Sequence, residues 1–210
     1  MQREEIMAVA LAAARHHHPH PNPRVGAVVV TGDGRIVGTG GHAGPGHPHA
    51  EVLALDEAGT AARGATLFVT LEPCAHHGRT PPCAEAIVAA GVAGVVAAVE
   101  DPDPRVAGSG FEALRRAGIE VTVGVGAGAA RALDPGYFHH RATGRPRVTV
   151  KVAMTLDGQT AAADGTSRWI TSAEARRDGH RLRADSDAVM VGAGTMLADD
   201  PALTVRLEGH

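Results

Sequence analysis

The sequence predicts an α/β protein, and three observations lead to that class. Segments in which apolar residues recur with helical spacing alternate along the chain with short runs rich in Val and Ala, which are typical of strands. The alternation of helices with strands predicts a sheet that helices cover on both faces. Glycine makes up 27 of the 210 residues, about twice its usual share of roughly 7%, which indicates many tight turns.

Five strands are expected in the first part of the chain. The run RVGAVVV is followed by a Gly-Asp-Gly turn and by RIVGTG, so these two strands are expected to form a hairpin. The runs ATLFVTLEP, GVVAAVE and EVTVGV follow, and each pair of them is separated by a segment long enough for a helix. The five expected strands cover residues 24–30, 35–40, 65–73, 94–100 and 120–125.

Four helices are expected to lie before and between these strands. Pro48 suits the first turn of the second helix, and Gly59 suits the position just past its end. Thr80 is the expected N-cap of the third helix, and Gly91 is its expected end. The four expected helices cover residues 3–14, 48–59, 80–91 and 109–118.

The pattern restarts near residues 141–147, which indicates a second segment. There, 148–158 and 187–194 resemble strands, and 171–184 resembles a helix. We therefore expect one complete domain over residues 1–145 and part of a second over 146–210.

Composition limits the possible functions. The net charge is −3 and no Lys/Arg run stands out, so neither a nucleic-acid surface nor an anionic-membrane surface is expected. The longest apolar runs are too short to span a membrane, and Glu4 and Glu5 stand where a signal peptide would carry positive charge. We expect a soluble cytoplasmic protein, in which a cysteine pair serves metal binding or catalysis more often than a disulfide.

The only two cysteines, Cys74 and Cys83, lie nine positions apart in one loop, PCAHHGRTPPC. With His49 they make three candidate zinc ligands, and a catalytic zinc site keeps a fourth position open for water. Glu51 is then free to move protons between water and a substrate. Two expected helix starts and one strand end carry these residues, which allows them to meet at one point. The alternative is a cysteine pair and a surface His-Glu that never meet.

The chain resembles the bifunctional riboflavin-biosynthesis deaminase/reductase family. His49-Ala50-Glu51 followed by Pro73-Cys74 is similar to the nucleobase-deaminase signature, with eight residues instead of two before the second cysteine. The stretches PNPRVGAVVV, DPDPRVAGSG, KVAMTLDGQTA, SRWITS and ADDPALTVR match further motifs of that family in order. The resemblance implies a cytidine-deaminase-like three-layer α/β/α sandwich, followed by a partial dihydrofolate-reductase-like α/β segment.

The resemblance also implies a reaction and the residues that carry it. The reaction is hydrolytic deamination of 2,5-diamino-6-(5-phospho-ribosylamino)pyrimidin-4(3H)-one in riboflavin biosynthesis, with Zn²⁺ bound by His49, Cys74 and Cys83 and with Glu51 as the proton carrier. Asp103 stands where the family usually has Asn, and a second carboxylate there would repel a phosphate, so we assign it no role. The residues implied for binding this pyrimidine ribonucleotide are Asn22, His42, His76, Arg79 and Asp101, with Arg79 suited to the phosphate.

The second segment resembles the opening of the family's reductase domain, which uses NADPH. The run VGAGTML is not a dinucleotide-binding fingerprint, because its sixth position would be Leu197 instead of Gly. We expect this domain to be truncated, so that the chain deaminates but does not reduce. By position, the residues implied for NADPH are Ala153, Trp169, Thr195 and Asp199, and those implied for the reductase substrate are Ser167, Arg183, Leu203 and Arg206.

Two rival functions use the same zinc ligands. A deaminase acting on nucleic-acid bases or free nucleosides shares the chemistry. An enzyme that acts on nucleic acid, however, needs a basic channel and aromatic side chains that stack on the bases. Phe68 is the only Phe, Tyr or Trp between residues 42 and 110. A zinc-stabilised module without enzymatic activity needs a fourth protein ligand, such as His76 or His77. We also expect a homo-oligomer.

Overall fold

The computed structural model describes residues 2–78 and 80–209. The chain separates into two units, Met1–Arg147 and Val148–His210. No helix in the described ranges has both the length and the apolar character that crossing a membrane requires.

The first unit is built on a five-stranded mixed sheet with the strand order β2-β1-β3-β4-β5. Strand β1 pairs antiparallel with β2 and with β3, which confirms the expected hairpin. Strands β3, β4 and β5 run parallel, so the segments that follow β3 and β4 leave the same edge of the sheet. The strands are β1 Gly26–Val30, β2 Ile36–Gly41, β3 Thr66–Val69, β4 Gly94–Ala97 and β5 Glu120–Val123.

Helices cover both faces of this sheet, as the apolar strands predict. The backbones of α1 and α2 approach opposite faces of β2, and α1 lies with α5 on one side while α2, α3 and α4 lie on the other. The core consists of Ala, Val, Leu and Ile with few aromatic rings. The helices are α1 Arg3–Arg15, α2 Ala50–Ala58, α3 Cys83–Ala90, α4 Ser109–Arg116, α5 Ala127–Leu133 and α6 Pro135–Thr143, and a short 3-10 turn spans Gly59–Ala62.

Two expected helix starts are wrong by a few residues. Helix α2 begins at Ala50 with His49 as its N-cap, so Pro48 lies before the helix instead of in its first turn. Helix α3 begins at Cys83 and its N-cap is Pro82, not Thr80. A residue that precedes a proline is driven away from helical dihedral angles, so the Pro-Pro pair delays the start of α3. Helices α5 and α6 were not expected.

The second unit contains two helices, α7 Ala173–Ala184 and α8 Ala193–Asp199. Helix α7 confirms the prediction for 171–184, and its N-cap Ser172 accepts a hydrogen bond from the backbone N–H of Ala175. The segments 148–158 and 187–194 were expected to be strands, but the described part of this unit contains none. Apolar side chains along both segments, such as Val150 and Met190, are exposed. A strand needs a neighbour for its backbone hydrogen bonds, and this unit offers these segments no neighbour.

Candidate active site

Three metal-ligand side chains converge at one edge of the first unit. His49 immediately precedes α2, Cys83 is the first residue of α3, and Cys74 follows β3. The Nδ1 atom of His49 lies 3.1 Å from Sγ of Cys83 and 3.6 Å from Sγ of Cys74. All three donor atoms lie within 4.8 Å of one another. Two helix N-termini and one strand end therefore meet at a single point.

These three donor atoms suit a zinc ion. At ordinary Zn–N and Zn–S bond lengths, a tetrahedral ion separates its donor atoms by about 3.5–3.8 Å, close to the spacing found here. The other ring nitrogen of His49, Nε2, lies 3.4 Å from the hydroxyl oxygen of Thr80, which is the kind of contact that orients a metal-ligating imidazole. The backbone N–H of Cys83 donates to Sγ of Cys74, which favours a thiolate there.

Cys74 is the more acidic of the two thiols. The hydrogen bond from the Cys83 thiol lowers the pKa of Cys74 to about 4, and the same bond, together with burial, raises the pKa of Cys83. The hydrogen bond to Cys74 in turn raises the pKa of His49. A cation bound between them would replace these protons, because metal ligands bind in their deprotonated forms.

Glu51 lies beside the three donor atoms and is not one of them. Its side chain is almost wholly buried in the first turn of α2, and burial raises its pKa to about 6. A carboxyl group with that pKa changes protonation state close to neutral pH. It can therefore both accept and return a proton under physiological conditions.

Two glycines on β2 allow α2 to lie close to the sheet. A Cβ atom on Gly38 would come within 2.0 Å of the Ala54 carbonyl oxygen, and one on Gly40 would come within 2.1 Å of the Ala50 carbonyl oxygen. Any side chain at either position would push α2 outward. Because His49 and Glu51 lie at the start of this helix, the two glycines help to set their position at the sheet edge.

The donor cluster opens onto a pocket of about 420 Å³. Glu51, His49 and Cys74 line it, whereas Cys83 is fully buried behind them. Four of the residues implied for substrate binding also line the pocket, namely Asn22, His42, His76 and Asp101. Arg79 lies outside the described residues, so its prediction stays open.

Hydrogen bonding fixes the orientation of the Asn22 amide. Nδ1 of His42 lies 3.1 Å from the Pro48 carbonyl oxygen, which can only accept, so Nδ1 carries the ring proton. Burial lowers the pKa of His42, which keeps the ring neutral. Its Nε2 atom therefore accepts from Nδ2 of Asn22, 2.9 Å away. The carbonyl oxygen of Asn22 remains for a donor in the pocket.

A buried carboxylate holds the loop after β4 against the Cys74 loop. Glu72 accepts hydrogen bonds from the backbone N–H groups of Asp101, Gly108, Gly110 and Phe111 at 2.8–3.4 Å. A Cβ atom on Gly110 would come within 1.9 Å of the Pro73 carbonyl oxygen, so only glycine allows this approach. The loop that carries Asp101 and the loop that carries Cys74 are thereby fixed to each other.

A hydrogen-bonded group on the far side of the pocket combines two carboxylates with side chains of α6. The Tyr137 hydroxyl donates to Asp101 at 2.9 and 3.1 Å. Asp103 forms a bidentate pair with Arg105 and lies 3.3 Å from Nη1 of Arg141. The Arg105 hydrogen bonds hold the pKa of Asp103 well below its usual range, whereas burial raises the pKa of Asp101. Asp103 is therefore an ion-paired carboxylate and not the isolated charge that the sequence suggested.

Three residues of this group were not predicted from the sequence: Arg105, Tyr137 and Arg141. The segment DPGYFHHRATG nevertheless carries a helix-start signal, since Asp134 caps α6 and Pro135 follows it. Helical spacing then places Tyr137 and Arg141 on one face.

In the second unit, two of the four residues implied for the reductase substrate, Arg183 and Arg206, lie on or beside α7. Arg183 on this helix donates to the Thr204 carbonyl oxygen at 2.7 Å, and the backbone N–H of Arg206 donates to His180 at 3.2 Å. Leu203 is partly buried and Ser167 is exposed.

The residues implied for NADPH lie on three segments of the second unit. Thr195 and Asp199 share α8, and both are exposed. Ala153 lies outside any helix or strand, and Trp169 is exposed and stacks against the Arg176 guanidinium group at 4.2 Å.

Family models match both parts of the chain. Residues 1–99 match the cytidine and deoxycytidylate deaminase zinc-binding region, and residues 146–210 match the RibD C-terminal domain. The zinc-binding region contains His49, Cys74 and Glu51, and also Cys83.

Sequence and structural relatives agree with both matches. The riboflavin biosynthesis protein RibD of Escherichia coli is 55% identical over 87% of this chain and 49% of its own length. The structure of Acinetobacter baumannii RibD superposes with a TM-score of 0.92 at 50% identity, over 97% of this chain and 58% of that one. A deaminase/reductase structure from Thermotoga maritima gives 0.91 at 45% identity, over 98% and 60%. The chain spans about half the length of the curated relatives it matches. Over the residues that it shares with these proteins, the chain belongs to the RibD family.

Proposed function

We propose that this chain is a zinc-dependent hydrolase that deaminates 2,5-diamino-6-(5-phospho-ribosylamino)pyrimidin-4(3H)-one to 5-amino-6-(5-phospho-ribosylamino)uracil and ammonia. The observation that carries the proposal is the His49-Cys74-Cys83 cluster, which opens onto a pocket of about 420 Å³ beside the buried Glu51 carboxyl group. The Thermotoga maritima relative bears the name diaminohydroxyphosphoribosylaminopyrimidine deaminase/5-amino-6-(5-phosphoribosylamino)uracil reductase.

The pocket offers groups that complement an aminopyrimidine ring. The carbonyl oxygen of Asn22 is turned away from His42 and can accept a hydrogen bond from a ring N–H or an amino group. Asp101 offers a second acceptor on the opposite loop. Both acceptors are held by other protein groups, so little freedom is lost when the substrate binds.

Glu51 performs the proton transfers in the proposed reaction. Zinc held by His49, Cys74 and Cys83 would supply Lewis-acid activation of water. The Glu51 carboxylate accepts a proton as the water oxygen attacks the ring carbon that bears the amino group. It then delivers that proton to a ring nitrogen. The hydroxyl group now on that carbon then gives its proton to the Glu51 carboxylate, which passes it to the amino group. The C–N bond breaks, ammonia leaves and the oxygen remains on the carbon as a carbonyl.

Ammonia release tests the proposal. The zinc-loaded chain should release ammonia from the pyrimidine nucleotide and should lose that activity after chelation. Cytidine and adenosine, run in parallel, should give rates lower by at least about a hundredfold, since a site built for one set of hydrogen bonds rejects a ligand that leaves them unpaired. Equal rates with cytidine would favour a general nucleoside deaminase.

The ligand set argues against a closed zinc module. Among the described residues, the group of mutually close donor atoms contains His49, Cys74 and Cys83, and neither His76 nor His77 joins it. His76 instead lines the pocket. A site with three protein ligands keeps one position for water or substrate, as catalysis requires.

For the second segment we propose a separate role. Residues 1–145 would form the deaminase domain, and residues 146–210 would form the first part of an NADPH-dependent reductase domain. The family match to residues 146–210 and the division of the chain after Arg147 support this boundary. The exposed apolar side chains of 148–158 and the exposed Thr195 and Asp199 do not enclose a dinucleotide. We expect the 210-residue chain not to oxidise NADPH with the deaminated product, as followed by absorbance. Steady oxidation would contradict this assignment.

We also propose a cytoplasmic homo-oligomer. Both cysteines are free thiols, which is typical of proteins in a reducing compartment such as the cytoplasm. Sedimentation equilibrium of the zinc-loaded chain tests the assembly, because a mass of one chain, 21.4 kDa, would contradict it.

A further inference from the structure

Helix α6 connects both walls of the pocket. Its N-cap residue, Asp134, accepts a hydrogen bond from the backbone N–H of Tyr137 at 3.2 Å. The same carboxylate accepts from the backbone N–H of Arg24 at 3.0 Å, which ties the helix to the segment that carries Asn22. One turn further along, Arg141 reaches Asp103 on the opposite loop. The helix is therefore anchored to both segments that present acceptors to the substrate.

On this helix, the Tyr137 hydroxyl group donates a hydrogen bond to the Asp101 carboxylate. The Tyr137 hydroxyl lies 2.9 Å from Oδ1 and 3.1 Å from Oδ2, and the backbone N–H of Asp103 donates to Oδ1 at 2.9 Å. Asp101 lines the pocket together with Tyr137 and Asp103, the two residues that donate to it. Oδ2 receives only the longer of the two tyrosine contacts among the described residues. It is therefore the oxygen with capacity left for a substrate N–H or O–H.

We propose that Tyr137 is a positioning residue of the deaminase site, which holds the Asp101 carboxylate in the orientation that binds the substrate. The inference rests on the proposed function. The Tyr137 ring is buried, and the Arg141 guanidinium group lies 5.3 Å from its centroid, so the ring has little freedom to turn away. Tyr137 acts through Asp101, and its removal should weaken substrate binding more than it slows the chemical step.

A double-mutant cycle tests the inference in the zinc-loaded 210-residue chain. Tyr137→Phe keeps the ring and removes only the donor. It should raise KM for the pyrimidine nucleotide about tenfold, as expected for the loss of a hydrogen bond to a charged group, and change kcat by less than about threefold. In the Asp101→Ala background, which removes every side-chain acceptor at this position, the same substitution should change KM by less than about twofold. Thr143→Val, which removes an exposed hydroxyl group from the same helix, is the matched control.

An optical titration gives a readout that does not depend on activity. Tyr137 is the only tyrosine of the chain, so the ultraviolet signal of phenolate formation reports on it alone. Burial and the neighbouring carboxylate raise its pKa. Asp101→Asn should therefore shift phenolate formation to lower pH.

The outcomes separate the two proposals. Equal KM increases in both backgrounds, or a Tyr137→Phe variant with the parental KM, would overturn the inference. Neither result would contradict the proposed deaminase function. An unchanged phenolate titration in Asp101→Asn would also overturn the inference. A parent chain that releases no ammonia would instead contradict the proposed function, and the inference would fall with it.

Discussion

Replacing Glu51 with glutamine separates proton transfer from metal binding and from folding. The two side chains have the same shape, and the position is buried in the first turn of α2, so the fold and the three donor atoms should be retained. Glutamine cannot carry a proton. We expect kcat to fall by about 10²–10⁴-fold, the contribution of one general acid-base group, while zinc content by elemental analysis stays at the parental level.

The pH profile gives the same experiment a second readout. Burial raises the pKa of Glu51 to about 6, so the carboxylate form predominates above that pH. Below that pKa the carboxyl group is protonated and cannot act as a base. In the parent, kcat/KM should therefore fall about tenfold per pH unit on the acidic side, and this limb should be absent in Glu51→Gln.

The control for this variant is Asp56→Asn, which makes the same chemical change at an exposed position of the same helix. It should leave kcat, zinc content and the pH profile unchanged. If Glu51→Gln turns over within about tenfold of the parent, the assignment of proton transfer to Glu51 is wrong.

Three further predictions concern the ligands, the loop contact and the phosphate. Cys83→Ala should lose most of its zinc and all deamination, because two protein ligands do not hold a catalytic ion; near-normal zinc content would contradict the ligand assignment. Gly110→Ala should lower the free energy of unfolding by about 1–3 kcal/mol through its overlap with the Pro73 carbonyl group, whereas Gly128→Ala, at an open position of α5, should not lower it. Arg79→Ala should raise KM for the phosphorylated substrate and barely change KM for its dephosphorylated analogue. Equal increases in KM for the two compounds would exclude a contact between Arg79 and the phosphate.

Local sequence patterns predict the sheet of the first unit well. Strands β1, β3 and β4 lie within largely apolar runs, and the Gly-Asp-Gly turn predicts the β1–β2 hairpin that the register displays. The α/β class follows from these strands and the helices between them, and the family resemblance follows from motifs in both segments of the chain. Helix starts were less accurate, because Pro81 and Pro82 act on neighbouring backbone angles and outweigh the capping preference of Thr80.

Contacts between distant segments could not be read from local patterns. Arg141 pairs with Asp103 although it lies more than thirty residues further along the chain, and only the fold brings these two residues together. The same holds for Tyr137 and Asp101. The prediction that Asp103 would repel a phosphate treated it as an isolated charge, whereas two guanidinium groups pair with it.

The second unit illustrates a different limit. The pattern of 148–158 is that of a strand, yet a strand forms only where a neighbouring strand accepts and donates its backbone hydrogen bonds. Helix α7 satisfies its own backbone groups and was predicted correctly. Local pattern thus suffices for this helix and not for the two strand-like segments.

The absorption spectrum of the cobalt-substituted chain tests the central claim most directly, namely that His49, Cys74 and Cys83 hold a metal ion that keeps a position open to the substrate pocket. We predict sulfur-to-cobalt charge-transfer bands of two thiolates with the visible bands of a tetrahedral ion, and a shift of the visible bands when the deaminated pyrimidine nucleotide is added. A spectrum without thiolate bands, or one that the nucleotide leaves unchanged at saturating concentration, would contradict the account.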